Sequence, residues 1–281
     1  MKIKFGGIKI VWKNNWNEKN KTILKKALEL NKTSHSYLFI GTEGIGKKLI
    51  AEEFAKMLLA VKDTENSPDF SIIEPDGNSI KIEQIREFQK KVSEKPIISN
   101  KKVYIINDSD KMTVEAQNCL LKTLEEPPEF AKIILIGSNE SSFLSTIKSR
   151  CTIIKFNPIS DEQVKGYIKE KYELPEISES IILASSGSIG KAEILKDKQE
   201  LFSSIDKVIN NIEQMDLIDT LKNADIIYKS QEDKQDILEY ININNNFNKN
   251  HLITVLLEDA NNSNIKIKRG EILLWEDTLF Q

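Results

Sequence analysis

A parallel α/β domain built around a phosphate-cradling loop, followed by a helical region, is the fold class that the sequence predicts. Three observations carry it. Short apolar runs without polar alternation, such as Tyr37-Leu38-Phe39-Ile40, have the make-up of strands buried on both faces. Segments with apolar residues at helical spacing separate these runs, which is the order of elements in a parallel sheet. The first run is followed at once by Gly41-Thr42-Glu43-Gly44-Ile45-Gly46-Lys47, a G-x-x-x-x-G-K loop, and then by Ile50, Phe54, Met57, Leu58 and Val61 at helical spacing. Strand, glycine-rich loop and helix in that order are the context the motif needs.

The elements follow from the same reasoning. Ile8, Ile10 and Trp12 alternate as in a short strand, while Gly6-Gly7 and Asn14-Asn15 break anything longer. Glu18–Leu30 reads as a helix with Ile23, Leu24, Ala27 and Leu28 on its buried face. After the Lys47–Val61 helix, the polar stretch Lys62–Pro68 is a linker. Phe70–Glu74 is a second strand, closed by Pro75-Asp76-Gly77. Ile82, Ile85, Phe88, Gln89 and Val92 give a helix, and Val103–Ile106 a third strand that stops at Asn107-Asp108. Thr113 is placed to cap a helix whose buried face is Ala116, Leu120, Leu121 and Leu124, ended by Pro127-Pro128. Lys132–Ile136 and Thr152–Phe156 are the last strands. Past Pro158 only helices are expected: Asp161–Tyr172, Ser178–Ser185, one from Lys191 after the turn Gly187–Gly190, and amphipathic helix from about Gln199 to Ile241. Ile241–Asn250 reads as a loop and His251–Ala260 as a last helix.

Bulk properties exclude several classes. The chain has 281 residues and a net charge of −3, from 40 basic and 43 acidic side chains, so it is not drawn wholesale to nucleic acid. No apolar run approaches the ~20 residues of a membrane helix. The opening MKIKFGGIKIVWKNNW has no sustained apolar segment or small-residue cleavage site, so no signal peptide and no membrane partner are expected. Only Cys119 and Cys151 are present, too few for a four-ligand zinc site, and a cytoplasmic protein with free thiols is expected.

The loop departs from its motif at one place. Backbone N–H groups around the glycines surround a phosphate, Lys47 reaches the outer phosphates, and the next residue holds Mg²⁺ through a hydroxyl. Here that residue is Lys48. An ammonium repels a divalent cation where a hydroxyl would bind it.

Taken together, HSYLFIGTEGIGKKLIAEEFA, DFSIIEPDGNSIKIEQIREF, KKVYIINDSDKMTVEAQNCLLKTLEEPP and STIKSRCTIIKFNPIS resemble one family, covering residues 35–160. The chain resembles the delta-prime subunits of the bacterial DNA polymerase III clamp loader, within the AAA-type ATPases. The AQNCLLKTLEEPP stretch and Ser149-Arg150-Cys151 are the specific pieces, and GSIGKA at 187–192 resembles the family's lid. The resemblance implies an AAA-type sheet domain over 1–158, a small helical lid over 159–198 and a helical collar over 199–281. It implies gamma/tau and delta loader subunits as partners in a hetero-oligomer, with the sliding clamp and primed DNA met through that complex during replication.

The resemblance also assigns roles. Gly41, Gly44, Gly46, Lys47 and Lys48 form a degenerate nucleotide loop. Asn107 stands where catalytic members have the metal-binding Asp, and Asp108 where they have the Glu. Gly190 matches the lid position of an arginine. Arg150 is the family's arginine finger, acting in a neighbour's ATP site. The expectation is therefore a subunit that does not turn over ATP, holds nucleotide weakly if at all through the Gly44–Lys47 amides, requires no cofactor and carries no zinc, since Lys62–Pro68 replaces the family's cysteine module. Lys81, Arg86, Lys90 and Lys91 could face DNA, or be a solvated helix face. His35 is expected to make a structural hydrogen bond, Cys151 to be a small buried side chain, and Ser138-Asn139 to be structural. Two rival readings stay open: an active ATPase that uses Lys48, and a free-standing DNA-binding module of the AAA type.

Overall fold

The structure is a computed structural model that describes the backbone of residues 2–5, 8–11 and 16–211, and the side chains of residues 16–207. Of the described residues, those up to Glu173 together with Ser186–Glu193 form one compact unit, and the rest form a second.

In the first unit, β1 (Lys2–Phe5) and β2 (Ile8–Val11) pair antiparallel, with Phe5 opposite Ile8. The chain then runs through α1 (Glu18–Glu29), β3 (Ser36–Ile40), α2 (Lys47–Leu59), β4 (Phe70–Ile73), α3 (Ile82–Val92) and β5 (Lys102–Ile106). It continues through α4 (Val114–Glu125), β6 (Ala131–Gly137), a short α5 (Ser145–Lys148), β7 (Thr152–Lys155) and α6 (Asp161–Tyr172). After α7 (Glu179–Ser185) come α8 (Ile189–Leu195) and α9 (Gln199–Asn211). No described helix is long and apolar enough to cross a membrane.

The five longer-range strands make one sheet in the order β4-β5-β6-β3-β7, all parallel. β3 sits between β6 and β7, Phe39 facing both Ile136 and Ile154 in register. Every residue of β3 is buried, which is why its sequence shows no polar alternation. Its side chains nevertheless alternate in direction. Leu38 and Ile40 join Ile85, Phe88 and Val92 of α3 and Ala116, Leu120 and Leu124 of α4 in one core cluster. Tyr37 points the other way, its ring edge-on to Phe54 of α2 at 5.4 Å. Each such fully buried side chain contributes about 1.5–3 kcal/mol. Because all strands are parallel, their C-terminal ends share one edge, and the segments after β3, β4, β5, β6 and β7 meet there. Ligands of open α/β sheets bind at that edge.

Several expectations are corrected. Ile23 is 44% exposed, and the buried face of α1 is Asn20, Lys21, Leu24 and Leu28. Asn20 is drawn inward because its side chain donates to Lys155 O at 3.1 Å. α2 ends at Leu59, because Ala60 turns left-handed (φ 55°) and Val61 N–H bonds back to Lys56 O, closing the helix before Val61. Leu121 is only half-buried, and Gln117 and Thr123 take the buried positions beside it. α8 begins at Ile189 rather than Lys191, since Ser188 Oγ accepts from Lys191 N–H and caps it. Thr113 caps α4 as read, accepting from Ala116 N–H at 3.2 Å. Among the described residues no strand follows β7. Of the helix expected from Gln199 to Ile241, α9 is the described part. The expectations for 241–281 lie outside the described residues.

Candidate nucleotide loop and arginine site

The loop after β3 is shaped by two left-handed glycines, Gly44 (φ 75°) and Gly46 (φ 86°), the second standing directly before α2. Any other residue would be strained in that region. Ile45 between them is fully buried, and its carbonyl accepts from Asn17 Nδ2 at 3.1 Å. The loop is therefore anchored from both sides, with the helix start behind it.

The residues that would meet a nucleotide are engaged with the protein itself. Lys47 Nζ donates to Gly41 O at 2.5 Å and Thr42 O at 2.6 Å, the carbonyls of its own loop. Burial pushes its pKa down, while the carboxylates of Asp110, Glu43 and Asp108 pull the other way. Lys48 Nζ lies 2.8 Å from Glu74 Oε1, and Asn107 Nδ2 lies 3.4 Å from the same oxygen. Glu74 follows β4, so Lys48 and Asn107 converge on a carboxylate from a third strand end. Asp108 is left-handed (φ 47°) and pairs with Lys111 Nζ at 3.1 Å, which raises the lysine's pKa. Asp110 accepts from Ser138 and Asn139 N–H at 3.0 and 3.2 Å, tying the ends of β5 and β6 together. Ser138-Asn139 are thereby held structurally.

Two further groups close over the loop. Gly190 N–H donates to Gly44 O at 3.0 Å, and a Cβ at Gly190 would sit 3.1 Å from Gly44 Cα. The turn at 187–190 thus rests backbone to backbone on the glycine loop, an approach that a side chain at Gly190 would crowd. Trp16 is buried with its indole N–H against Gly46, where a Cβ would lie 2.8 Å from Nε1. That N–H has no hydrogen-bond partner among the described residues, and the ring stands edge-on to Tyr167 of α6 at 5.1 Å.

Arg150 lies elsewhere. It follows α5 and precedes β7, so it is at the N-terminal end of an edge strand, whereas the loop is at the C-terminal ends. A strand rises about 3.3 Å per residue, so the sheet separates the two by roughly 15 Å. The guanidinium bonds to Thr146 O and to the Glu125 carboxylate of its own chain. Cys151 beside it is partly buried, and burial pushes its thiol up to about 12. His35 Nδ1 is 3.3 Å from Ala131 O, ahead of β3. Lys81, Arg86, Lys90 and Lys91 are exposed, Lys91 pairing with Glu87 at 2.7 Å.

Glu74, Asp110, Trp16 and Glu125 were not identified from sequence. Of these only Glu74 carried a usable signal, as an acid directly after a strand.

A family model described as DNA polymerase III, delta subunit, matches residues 16–160. DNA polymerase III subunit delta' of Bacillus subtilis is 31% identical over 215 residues, covering 69% of this chain and 65% of the relative. The subunit tau/gamma of Haemophilus influenzae is 31% identical over 240 residues, or 77% of this chain and 35% of that one. Subunit delta' of Pseudomonas aeruginosa is 32% identical over 136 residues, 42% of each chain. This chain therefore spans less than two thirds of the length of these relatives. Among solved structures, a DNA polymerase III gamma subunit-related protein of Thermotoga maritima is similar, with 21% identity, a TM-score of 0.48, and coverage of 84% of this chain and 83% of that one.

Proposed function

The chain belongs to the DNA polymerase III delta-subunit family as a delta'-type clamp-loader subunit, and from that premise we propose that it works in replication by assembling with gamma/tau and delta subunits and lending Arg150 to a neighbour's ATP site. The observation that carries the reading is the separation of the two sites. Arg150 stands at the opposite end of the sheet from its own loop. A finger serving its own nucleotide would have to cross that sheet; one serving an adjacent subunit needs only an exposed edge. An arginine at the γ-phosphate offsets charge that builds up as the phosphoryl group moves to water, an effect of about 10³–10⁵ in rate.

The chain's own loop does not fit a magnesium nucleotide. Lys48 brings a positive charge to the metal position, and Asn107 offers an amide where a carboxylate is needed. Lys47 is turned onto the carbonyls of its own loop. In this reading the domain keeps the loop as a structural joint between sheet and lid turn. The clamp and primed DNA are met through the assembled loader, with the exposed row Lys81, Arg86, Lys90 and Lys91 as the basic face available to the phosphate backbone.

The test is made on the full chain. It is expected to co-purify with a gamma/tau subunit and, alone, to release no phosphate from ATP with Mg²⁺. Steady turnover that Lys47→Ala abolishes would overturn the reading in favour of an active ATPase. A salt-dependent shift of primed DNA by the lone chain, without gamma/tau binding, would favour the free-standing module.

A further inference from the structure

Arg150 is not free to serve as it stands. Its Nη2 lies 2.6 Å from Glu125 Oε1, and its Nη1 donates to Thr146 O at 2.9 Å and lies 3.3 Å from Ser149 Oγ. Both terminal nitrogens, the fork with which a guanidinium grips a phosphate, are thus occupied within the chain. The anchors belong to well-fixed elements. Glu125 is the last residue of α4 and Thr146 lies in α5, and Leu120 and Leu124 of the first share a core cluster with Ile147 of the second. The helix ends that carry the carboxylate and the Thr146 carbonyl are therefore held near each other by packing.

A paired arginine presents a dipole to a distant phosphate, not a full charge. We propose that Glu125 is a latch on Arg150: in the free subunit the carboxylate holds the fork, and in the ring the γ-phosphate of the neighbour's nucleotide displaces it. The inference rests on the reading that Arg150 acts in a neighbour's site. The exposure of the pair decides whether such an exchange is feasible. The Arg150 and Glu125 side chains are 32% and 48% exposed, and pairs so open to water are weakly held. A fully buried pair would resist release; this one yields to an anion of higher charge. The carboxylate and the phosphate compete for the same N–H groups, so the latch acts on how readily the neighbour's ATP engages the finger and not on the rate once it is engaged.

The test uses the reconstituted loader with this one subunit changed. Glu125→Gln keeps the size and removes the competing charge. It is expected to lower the ATP concentration for half-maximal hydrolysis about two- to five-fold and to raise hydrolysis without clamp and DNA, leaving the maximal stimulated rate unchanged. Glu125→Asp, which keeps the charge, is expected to stay near wild type. Arg150→Ala/Glu125→Gln is expected to match Arg150→Ala alone. A fall in the maximal rate with Glu125→Gln would overturn the latch and make Glu125 a positioning residue. Wild-type behaviour of Glu125→Gln, with Arg150→Ala impaired, would overturn the latch and leave the finger standing. No effect of Arg150→Ala would remove both.

Discussion

Replacing Lys48 by Thr and Asn107 by Asp returns a hydroxyl and a carboxylate to the two positions that hold magnesium in loops of this class. The cost to the fold is small. The Lys48–Glu74 pair is 2.8 Å long, but its side chains are 43% and 53% exposed, and such a pair contributes at most about 1 kcal/mol. The change at the cation position is larger. An ammonium ~4 Å from a divalent ion repels it by about 2 kcal/mol in water and roughly 8 kcal/mol at the effective dielectric of a protein surface. The Gly190–Gly44 hydrogen bond engages a carbonyl and is common to wild type and variant, so it does not enter the difference. Lys47 would exchange two carbonyls for phosphate oxygens at little net cost. Even the lower figure, about 2 kcal/mol, is roughly a thirty-fold gain in affinity. The assay is titration of a fluorescent ADP analogue with magnesium and then with EDTA. Wild type is expected to show no magnesium dependence, and the double variant to gain it. Magnesium-dependent binding by wild type, or a well-folded double variant with none, would refute the assignment of Lys48 and Asn107 as the disabling residues.

Asp69, just before β4, is 1% exposed and accepts from the backbone N–H groups of Ile97, Ile98 and Ser99 at 2.6–2.8 Å. Asp69→Ala is expected to cost about 2–4 kcal/mol near pH 7, read by thermal melting; an unchanged melting temperature would refute this. Burial pushes the Asp69 carboxyl up, but those N–H groups and the Lys102 charge outweigh it and hold the pKa below the ordinary value. With the folded pKa depressed, the stabilisation is present above the unfolded value of ~3.9 and is lost as pH falls through the folded one. The gap between variant and wild type should therefore narrow in acid. A chain ended at Lys198, lacking α9 and all that follows, is expected to lose co-purification with gamma/tau; full retention would move the assembly surface into the preceding residues. Elemental analysis of the pure chain is expected to find less than stoichiometric zinc, and one zinc per chain would contradict the expectation drawn from the cysteine-free Lys62–Pro68 linker.

The sheet was legible because its physics is local. A four-residue apolar run closed by glycine and a phosphate-loop motif reads as a doubly covered strand, and Thr113 announces the helix that starts at the next residue. The buried face of α1 differs from the one its apolar spacing predicts because polar Asn20 turns inward to the Lys155 carbonyl. For the candidate loop and for Arg150, residue types at Gly41–Lys48, Asn107 and Arg150 were legible, but their contacts were not. Glu74 meets Lys48 across 26 positions in sequence, Gly190 meets Gly44 from the lid turn, and Glu125 meets Arg150 from another helix end. Nothing in spacing or periodicity encodes such meetings; they follow from strand order, which places distant segments on one edge.

Central to the proposed function is Arg150 acting outside its own subunit. The direct measurement is ATP hydrolysis and clamp loading by a reconstituted loader in which only this subunit carries Arg150→Ala, beside one in which it carries Lys47→Ala. Arg150→Ala is expected to leave folding within about 1 kcal/mol of wild type, since the side chain is one-third exposed. It is expected to remove the share of clamp- and DNA-stimulated hydrolysis that the neighbouring site supplies, with poor rescue by Arg150→Lys, which lacks the planar fork. Lys47→Ala is expected to leave hydrolysis unchanged. Full hydrolysis and loading with Arg150→Ala, or loss of either with Lys47→Ala in a properly assembled ring, would contradict the account.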